Sequence, residues 1–88
     1  MPVYKVIIQR AAKKQLSKLP INISPRISKA IDALALNPRP HGVEKMSGED
    51  DLYRIRVGDY RVIYKIEDDR LIVLIMRVGA RKEVYRKR

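Results

Sequence analysis

The chain is 88 residues long, enough for one small domain at 1–88 with a single core, and it carries a formal net charge of +10 at pH 7. It has no cysteine and one histidine, His41, so the sequence offers no disulfide and no cysteine or histidine cluster for a metal, and we expect no cofactor. No run approaches the roughly 20 apolar residues of a spanning helix, and the basic charge favours a nucleic acid, a ribosomal surface or an acidic protein as partner of a cytoplasmic protein over a membrane.

The first half of the chain predicts one strand and two helices. Residues 3–8 form a β-branched run typical of a strand. Apolar residues then recur at helical spacing from Arg10 to Leu19, and a proline ends that helix. Ser24 as N-cap and Pro25 in the first helical position predict a second helix, which ends before residues 37–38. A loop is predicted for 39–51, where proline, glycine and acidic residues are frequent.

Residues 53–64 predict a tight β-hairpin around the two-residue turn Gly58-Asp59. This turn sets the register: Val57 pairs with Tyr60, Arg56 with Arg61, Ile55 with Val62 and Arg54 with Ile63. Arg54, Arg56 and Arg61 therefore share one face, while apolar residues occupy the other. Because like charges across a strand pair cost stability, the arginine face is better explained by a bound anion than by folding. The alternative is that these are solvated arginines on an exposed sheet face of a basic protein.

The end of the chain predicts a turn at 67–70 and a buried central strand at 71–76. After a turn-like Gly79-Ala80, six basic residues and one acidic residue surround Tyr85 between 77 and 88. Such a segment is either a flexible basic tail or, because it contains an aromatic ring, a segment that docks near the arginines.

These elements predict an α+β fold in which two N-terminal helices pack on one face of a small, mainly antiparallel four-stranded sheet. Four tyrosines in predicted strands are interpreted as core residues; they are Tyr4, Tyr53, Tyr60 and Tyr64. His41, in the loop, is interpreted as a surface residue rather than a catalyst.

The order of these elements, with Tyr-Arg-Ile-Arg-Val-Gly-Asp-Tyr-Arg-Val-Ile-Tyr at 53–64, Val78-Gly79-Ala80-Arg81 and Glu83-Val84-Tyr85, resembles the RelE-type toxins of prokaryotic toxin–antitoxin pairs over nearly the whole chain. The resemblance implies a ribosome-dependent endoribonuclease that needs no metal and cuts messenger RNA in the decoding site. It implies attack of a ribose 2′-hydroxyl on the adjacent phosphate. It also implies a RelB-like antitoxin as partner in a hetero-oligomer.

By this resemblance the candidate catalytic residues are Arg61 and Arg81, which match phosphate-stabilising arginines, the C-terminal Tyr85, and Arg54 and Arg56. Candidate RNA-binding residues are basic side chains of the first helix and of the C-terminal segment: Lys13, Lys14, Lys18, Arg77, Lys82 and Arg86. The three lysines equally suit the solvated side of a helix.

Arg54 and Arg56 stand where the family often carries lysines. A crowded lysine can lose its proton, but arginine stays protonated at ordinary pH, so these two residues can bind phosphate but hardly act as a base. Either Tyr85 takes that role or the ribosome aligns the 2′-hydroxyl.

Two other functions remain open from the sequence. A ParE-like relative shares the fold but inhibits DNA gyrase without RNA chemistry. A non-enzymatic basic RNA-binding module is the interpretation that the residues alone favour, and it predicts binding that weakens steeply with salt.

Overall fold

The computed structural model describes residues 3–46, 48 and 51–80. Its elements in chain order are β1 (Lys5–Ile8), α1 (Arg10–Ser17), α2 (Ser24–Ala33), β2 (Glu44–Lys45), β3 (Leu52–Val57), β4 (Tyr60–Glu67), a 3-10 helix (Asp68–Arg70) and β5 (Ile72–Ala80). Within these residues neither helix has the length and apolar character needed to cross a membrane.

The five strands form one mixed sheet in the order β1-β5-β4-β3-β2. β1 runs parallel to β5, and the other neighbours are antiparallel. The predicted α+β class and mainly antiparallel sheet are confirmed, but the prediction of four strands is wrong by one. The additional strand, β2, lies in the segment predicted as a loop. It has two residues, both charged, and so carries no alternating pattern.

The core lies between the two helices and one face of the sheet. From α2 and the turn after it come Ile27, Ile31 and Leu34, each almost fully buried. Tyr53 and Tyr64 face them from neighbouring strands, with ring centroids 6.1 Å apart, and Tyr4 and Tyr60 pack at the edge of the same cluster. The predicted core role of the four tyrosines is therefore confirmed.

Both helices have ends that differ from the prediction. α1 ends at Ser17, two residues early, and Ser24 is the first helical residue of α2 rather than its N-cap. The N-cap is Ile23, whose side chain cannot cap. Instead, the turn before α2 supplies an acceptor for the Ser24 N–H, which donates to the carbonyl of Pro20 at 2.9 Å.

β5 differs from the prediction at both of its ends. It continues through Gly79 and Ala80, where a turn was predicted, because β4 pairs with it as far as Tyr60↔Ala80. Its burial is also one-sided among the described residues. Val73 and Ile75 are fully buried, whereas Ile72 and Leu74 on the other face are half-buried. The predicted turn before β5 is the 3-10 helix.

Arg39 ties the segment after α2 to two other parts of the molecule. Its guanidinium donates two hydrogen bonds to the Asp68 carboxylate, at 2.9 and 3.2 Å, and a third to the Tyr53 hydroxyl. The Tyr4 hydroxyl donates to the same carboxylate at 2.7 Å. Hydrogen bonds from Arg39 and Tyr4 lower the pKa of Asp68 to about 2. Nearby, the buried Tyr64 hydroxyl donates to the carbonyl of Pro38 at 2.7 Å.

Candidate nucleic-acid interface

The β3–β4 hairpin has the register predicted from its sequence. Gly58 has φ of +61°, the conformation that a glycine-first turn requires and that other residues rarely adopt. The guanidinium of Arg26, from the start of α2, lies beside this turn. Arg56 is paired directly with Arg61, and Arg54 with Ile63. These three arginines occupy the sheet face opposite the helices, as predicted.

A fourth arginine extends this face into the next strand. Arg77 on β5 pairs with Ile63 on β4, which in turn pairs with Arg54 on β3. Paired residues point to the same side of a sheet, so Arg77 stands on the arginine face. In the neighbouring row Arg61 has Arg56 on one side and Gly79 on the other. Because Gly79 has no side chain, no group from β5 competes for the space beside Arg61.

Arg61 is buried although it is charged. It is 6% exposed, and of the described residues it is the only charged one that is buried. No ion pair or hydrogen bond within residues 3–46, 48 and 51–80 involves its guanidinium. Burial is costly for a cation that forms no ion pair among the described residues, and Arg56 opposite raises that cost. A phosphate held between the two guanidiniums removes both costs.

Glu44 places one carboxylate among these arginines, and no signal in the sequence indicated it. β2 pairs Glu44 with Arg54, and its Oε1 lies 2.6 Å from the Arg54 Nε. The hydrogen bond and charge of Arg54, then the charges of Arg56 and Arg61, lower the pKa of Glu44. The carboxylate therefore stays ionised and engaged by Arg54.

A groove of about 680 Å³ opens beside the arginine face, along the edge of β3. Its apolar wall comes from the end of α2, at Ala30, Ala33 and Leu34. Its opposite wall contains the three hairpin arginines and Glu44, and the loop between α2 and β2 closes it with Asn37, Pro40, His41 and Gly42. His41 also lines this groove, and it is exposed, as its sequence context predicted.

The remaining predicted site residues fall into two groups. Lys13, Lys14 and Lys18 are exposed on α1, which packs on the other face of the sheet. The structure therefore does not bring these lysines into the arginine groove. Arg81, Lys82, Tyr85 and Arg86 lie outside the described residues, as does the predicted docking of the C-terminal segment.

The chemistry available on this surface is the binding of phosphate in a partly apolar groove. Guanidinium groups offer paired N–H donors that match phosphate oxygens, and they remain charged throughout the physiological range. The apolar wall from α2 suits the face of a base or a ribose. The combination is typical of a site for a nucleotide chain.

Comparison with known proteins gives consistent similarities over nearly the whole chain. The family model for the ParE toxin of the type II toxin–antitoxin system parDE matches residues 6–85. Toxin RelG of Mycobacterium tuberculosis is 34% identical, covering 96% of this chain and 98% of that protein. The mRNA interferase toxin RelE of Escherichia coli is 28% identical, with 93% and 90% covered. The crystal structure of the archaeal RelE–RelB complex from Pyrococcus horikoshii matches with a TM-score of 0.80 and 34% identity, covering 90% of this chain and 96% of that one.

Proposed function

The chain belongs to the RelE/ParE superfamily of type II toxins, as a RelE-type member, and from this premise we propose that it is a metal-independent endoribonuclease that cuts messenger RNA in the ribosomal decoding site. The observation that carries the proposal is the buried Arg61 directly opposite Arg56, in a groove large enough for a nucleotide. Cleavage of messages inhibits translation, which accounts for toxicity.

The reaction that suits this surface is attack of a ribose 2′-hydroxyl on the adjacent phosphate. As the 2′ oxygen bonds to phosphorus, negative charge grows on the phosphate oxygens, and Arg61 and Arg56 neutralise it from fixed positions. Arg54 is held by Glu44 and contributes its charge at the edge of the groove. By similarity, Arg81 adds a third phosphate-stabilising arginine and Tyr85 a stacking or proton-transfer group.

Binding to the ribosome–message complex uses a wider basic surface. Arg77 continues the arginine face, and the C-terminal Lys82 and Arg86 follow it in sequence. The exposed lysines of α1 contact phosphates of ribosomal RNA from the other side of the sheet. The two surfaces then engage different nucleic-acid chains.

The second partner is an antitoxin. The P. horikoshii relative was crystallised with RelB, and a RelE–RelB complex from M. tuberculosis has a TM-score of 0.79 with this chain at 30% identity. A chain of charge +10 is readily neutralised by an acidic segment that crosses the arginine face. We expect the product of the neighbouring reading frame to form a stable complex with the protein, and no complex on mixing the two would contradict this.

The chemistry is tested by the ends of the RNA fragments. Purified protein is incubated with ribosomes stalled on a defined message, and the cut ends are analysed. Attack by the 2′-hydroxyl leaves a 2′,3′-cyclic phosphate on one fragment and a 5′-hydroxyl on the other. A 5′-phosphate on the downstream fragment would overturn the proposed reaction, because it requires attack by water at the other side of the phosphate.

A second candidate function follows from the name of the matching family, ParE toxin. A ParE-like protein inhibits DNA gyrase through protein contacts. A supercoiling assay with purified gyrase separates the two functions, and we expect no inhibition. Inhibition of gyrase without fragments in the ribosome assay would favour this candidate.

A further inference from the structure

The proposed reaction needs a group that accepts the proton of the 2′-hydroxyl, and the arginine face does not contain one. Guanidinium groups stay protonated at ordinary pH, so Arg54, Arg56 and Arg61 cannot take a proton. The acceptor must lie close enough to the arginines to reach the ribose next to a bound phosphate. The candidates are the side chains that line the groove together with the arginines.

Few side chains in the groove can accept a proton. Glu44 is one, but Arg54 occupies its Oε1 at 2.6 Å, and the three arginines lower its pKa, which weakens it as a base. The amide of Asn37 is not a base. The residues from α2 in the groove are apolar. His41 is the remaining titratable group among the described residues that line the groove.

His41 is held in place by a closed turn. The N–H of Val43 donates to the carbonyl of Pro40 at 3.0 Å, which makes His41 and Gly42 the two central residues. Gly42 has φ of +87°, as the second central residue of a type II turn requires. The segment before this turn is fixed by a hydrogen bond that the buried Tyr64 hydroxyl donates to the carbonyl of Pro38. The imidazole therefore projects from a fixed backbone at the rim of the groove.

Resting on the proposed function, we propose that His41 is a catalytic residue that accepts the proton of the 2′-hydroxyl. As this proton moves to the neutral imidazole, the 2′ oxygen bonds to phosphorus and the bond from phosphorus to the 5′ oxygen breaks. The 5′ oxygen takes a proton from solvent, and the imidazolium returns its proton to solvent, so the cleavage consumes none. An imidazole suits this role because its neutral form has a ring nitrogen that can accept a proton and its charged form can return that proton to solvent.

The first test compares pH–rate profiles of single-turnover cleavage on stalled ribosomes. The wild-type rate should fall on the acid side of the profile, because a protonated imidazole can no longer accept the proton of the 2′-hydroxyl. His41→Ala should lose this acid limb and cut about 100-fold more slowly at pH 7.5, the scale of general-base catalysis. An unchanged rate and profile in His41→Ala, from a wild type that cuts, would overturn the inference and leave the proposed function standing.

Chemical rescue separates a proton acceptor from a structural residue. Free imidazole added to His41→Ala should restore part of the rate, because it enters the space that the side chain left. Arg61→Ala is the matched control. It also opens space in the groove, but the group that it removes is a guanidinium rather than the proposed proton acceptor. Imidazole should not rescue it. Equal rescue of both variants, or of neither, would contradict the assignment of His41 as the base.

A measurement without activity tests the placement of His41. The chain has a single histidine, so its imidazole gives one set of proton resonances. Inorganic phosphate bound between Arg56 and Arg61 should shift the His41 resonance together with the Arg61 Nε resonance. A shift of Arg61 without any change at His41 would overturn the inference. The titration can be measured even if the wild-type protein cuts no message. Failure of the proposed function is therefore distinguishable from failure of the placement of His41.

Discussion

At the scale of single residues, the most informative one is Arg61. Its burial makes it unfavourable for folding, and its position opposite Arg56 makes it favourable for binding an anion. Residues with this conflict between stability and binding are typical of functional sites. Stability and activity should therefore respond in opposite directions when Arg61 is replaced.

Arg61→Ala is expected to lower the cleavage rate by about 100-fold or more, the scale seen when one group that stabilises transition-state charge is removed. The free energy of unfolding should stay equal or rise, because the substitution removes a buried cation that forms no ion pair among the described residues. Arg61→Lys keeps the charge but not the paired N–H donors, so its cleavage rate should lie between those of the wild type and Arg61→Ala. Arg70→Ala, at the opposite end of the sheet, is the control and should cut normally. A large loss of stability in Arg61→Ala would contradict this explanation.

Asp68 links the stability of the fold to acid pH. Its pKa in the folded protein is lowered to about 2 by Arg39 and Tyr4. A lowered folded-state pKa contributes stability that is present above the ordinary aspartate pKa of about 3.9 and is lost as the pH falls towards 2.

Asp68→Asn should therefore be less stable than the wild type at pH 7, and the difference should shrink as the pH approaches 2. Urea unfolding at a series of pH values measures this. Asp69→Asn is the control, because Asp69 makes none of the ion pairs seen in the described residues. A constant difference between Asp68→Asn and wild type from pH 7 to pH 2 would rule out this linkage.

At the scale of elements, the β3–β4 hairpin aligns the site. Its register places Arg56 against Arg61, and Gly58 fixes that register through the turn. A shift by one residue would turn the arginines into the core and the apolar residues towards solvent. The turn therefore matters for function although it contacts no proposed substrate.

Gly58→Ala is expected to lower the free energy of unfolding by about 1 kcal/mol, the cost of a Cβ in a left-handed conformation. The added methyl lies 3.5 Å from the Arg26 guanidinium, an ordinary contact, so backbone strain is the main cost. Asp59→Ala, the neighbouring turn position without a positive φ, should change stability less. Thermal unfolding of the two variants checks this. Equal stability of Gly58→Ala and the wild type would show that the turn does not need a glycine.

The elements also show which parts of the fold the sequence could predict. The hairpin register was predictable because strand alternation and turn chemistry are local signals. The two-residue β2 was not, because a strand of that length has no period and forms only against Arg54 and Tyr53 of β3. The extension of β5 through Gly79 was missed for a similar reason. It depends on the length of the partner strand β4 rather than on Gly79 itself.

The same distinction applies to the candidate site. Arg54, Arg56 and Arg61 lie within eight residues of one another in sequence, so their common face followed from the hairpin alone. Glu44 and His41 join them through the path of the loop after α2, which no local pattern describes. Contacts between distant parts of a chain are fixed by packing, and here they supply the carboxylate and the imidazole of the groove.

At the scale of the whole molecule, charge is distributed unevenly. Four acidic residues line a depression at one end of the sheet, together with Lys65 and Arg70; they are Asp51, Glu67, Asp68 and Asp69. The arginine groove lies towards the hairpin turn at the other end. An approaching nucleic acid is therefore attracted more strongly to the end with the arginine groove, which orients the protein before contact.

Replacement of an arginine that binds phosphate should be visible in the salt dependence of RNA binding. The logarithm of the RNA-binding constant decreases with the logarithm of the salt concentration. For single-stranded RNA, this negative slope becomes shallower by about 0.7 for each phosphate that the protein no longer neutralises. Arg56→Ala should neutralise about one phosphate fewer, whereas Arg70→Ala should keep the wild-type slope. Fluorescence anisotropy with a labelled single-stranded RNA over a range of salt concentrations measures both. Equal slopes for all three proteins would remove Arg56 from the RNA-binding surface.

The central claim is that this toxin cuts messages on the ribosome, and primer extension in a translating cell-free system tests it most directly. Messenger RNA is mapped with and without the protein, and the same message without ribosomes serves as the control. We predict new cuts within ribosome-engaged coding regions and none in the naked message. No cuts in translated messages, from protein shown to be folded, would contradict the claim.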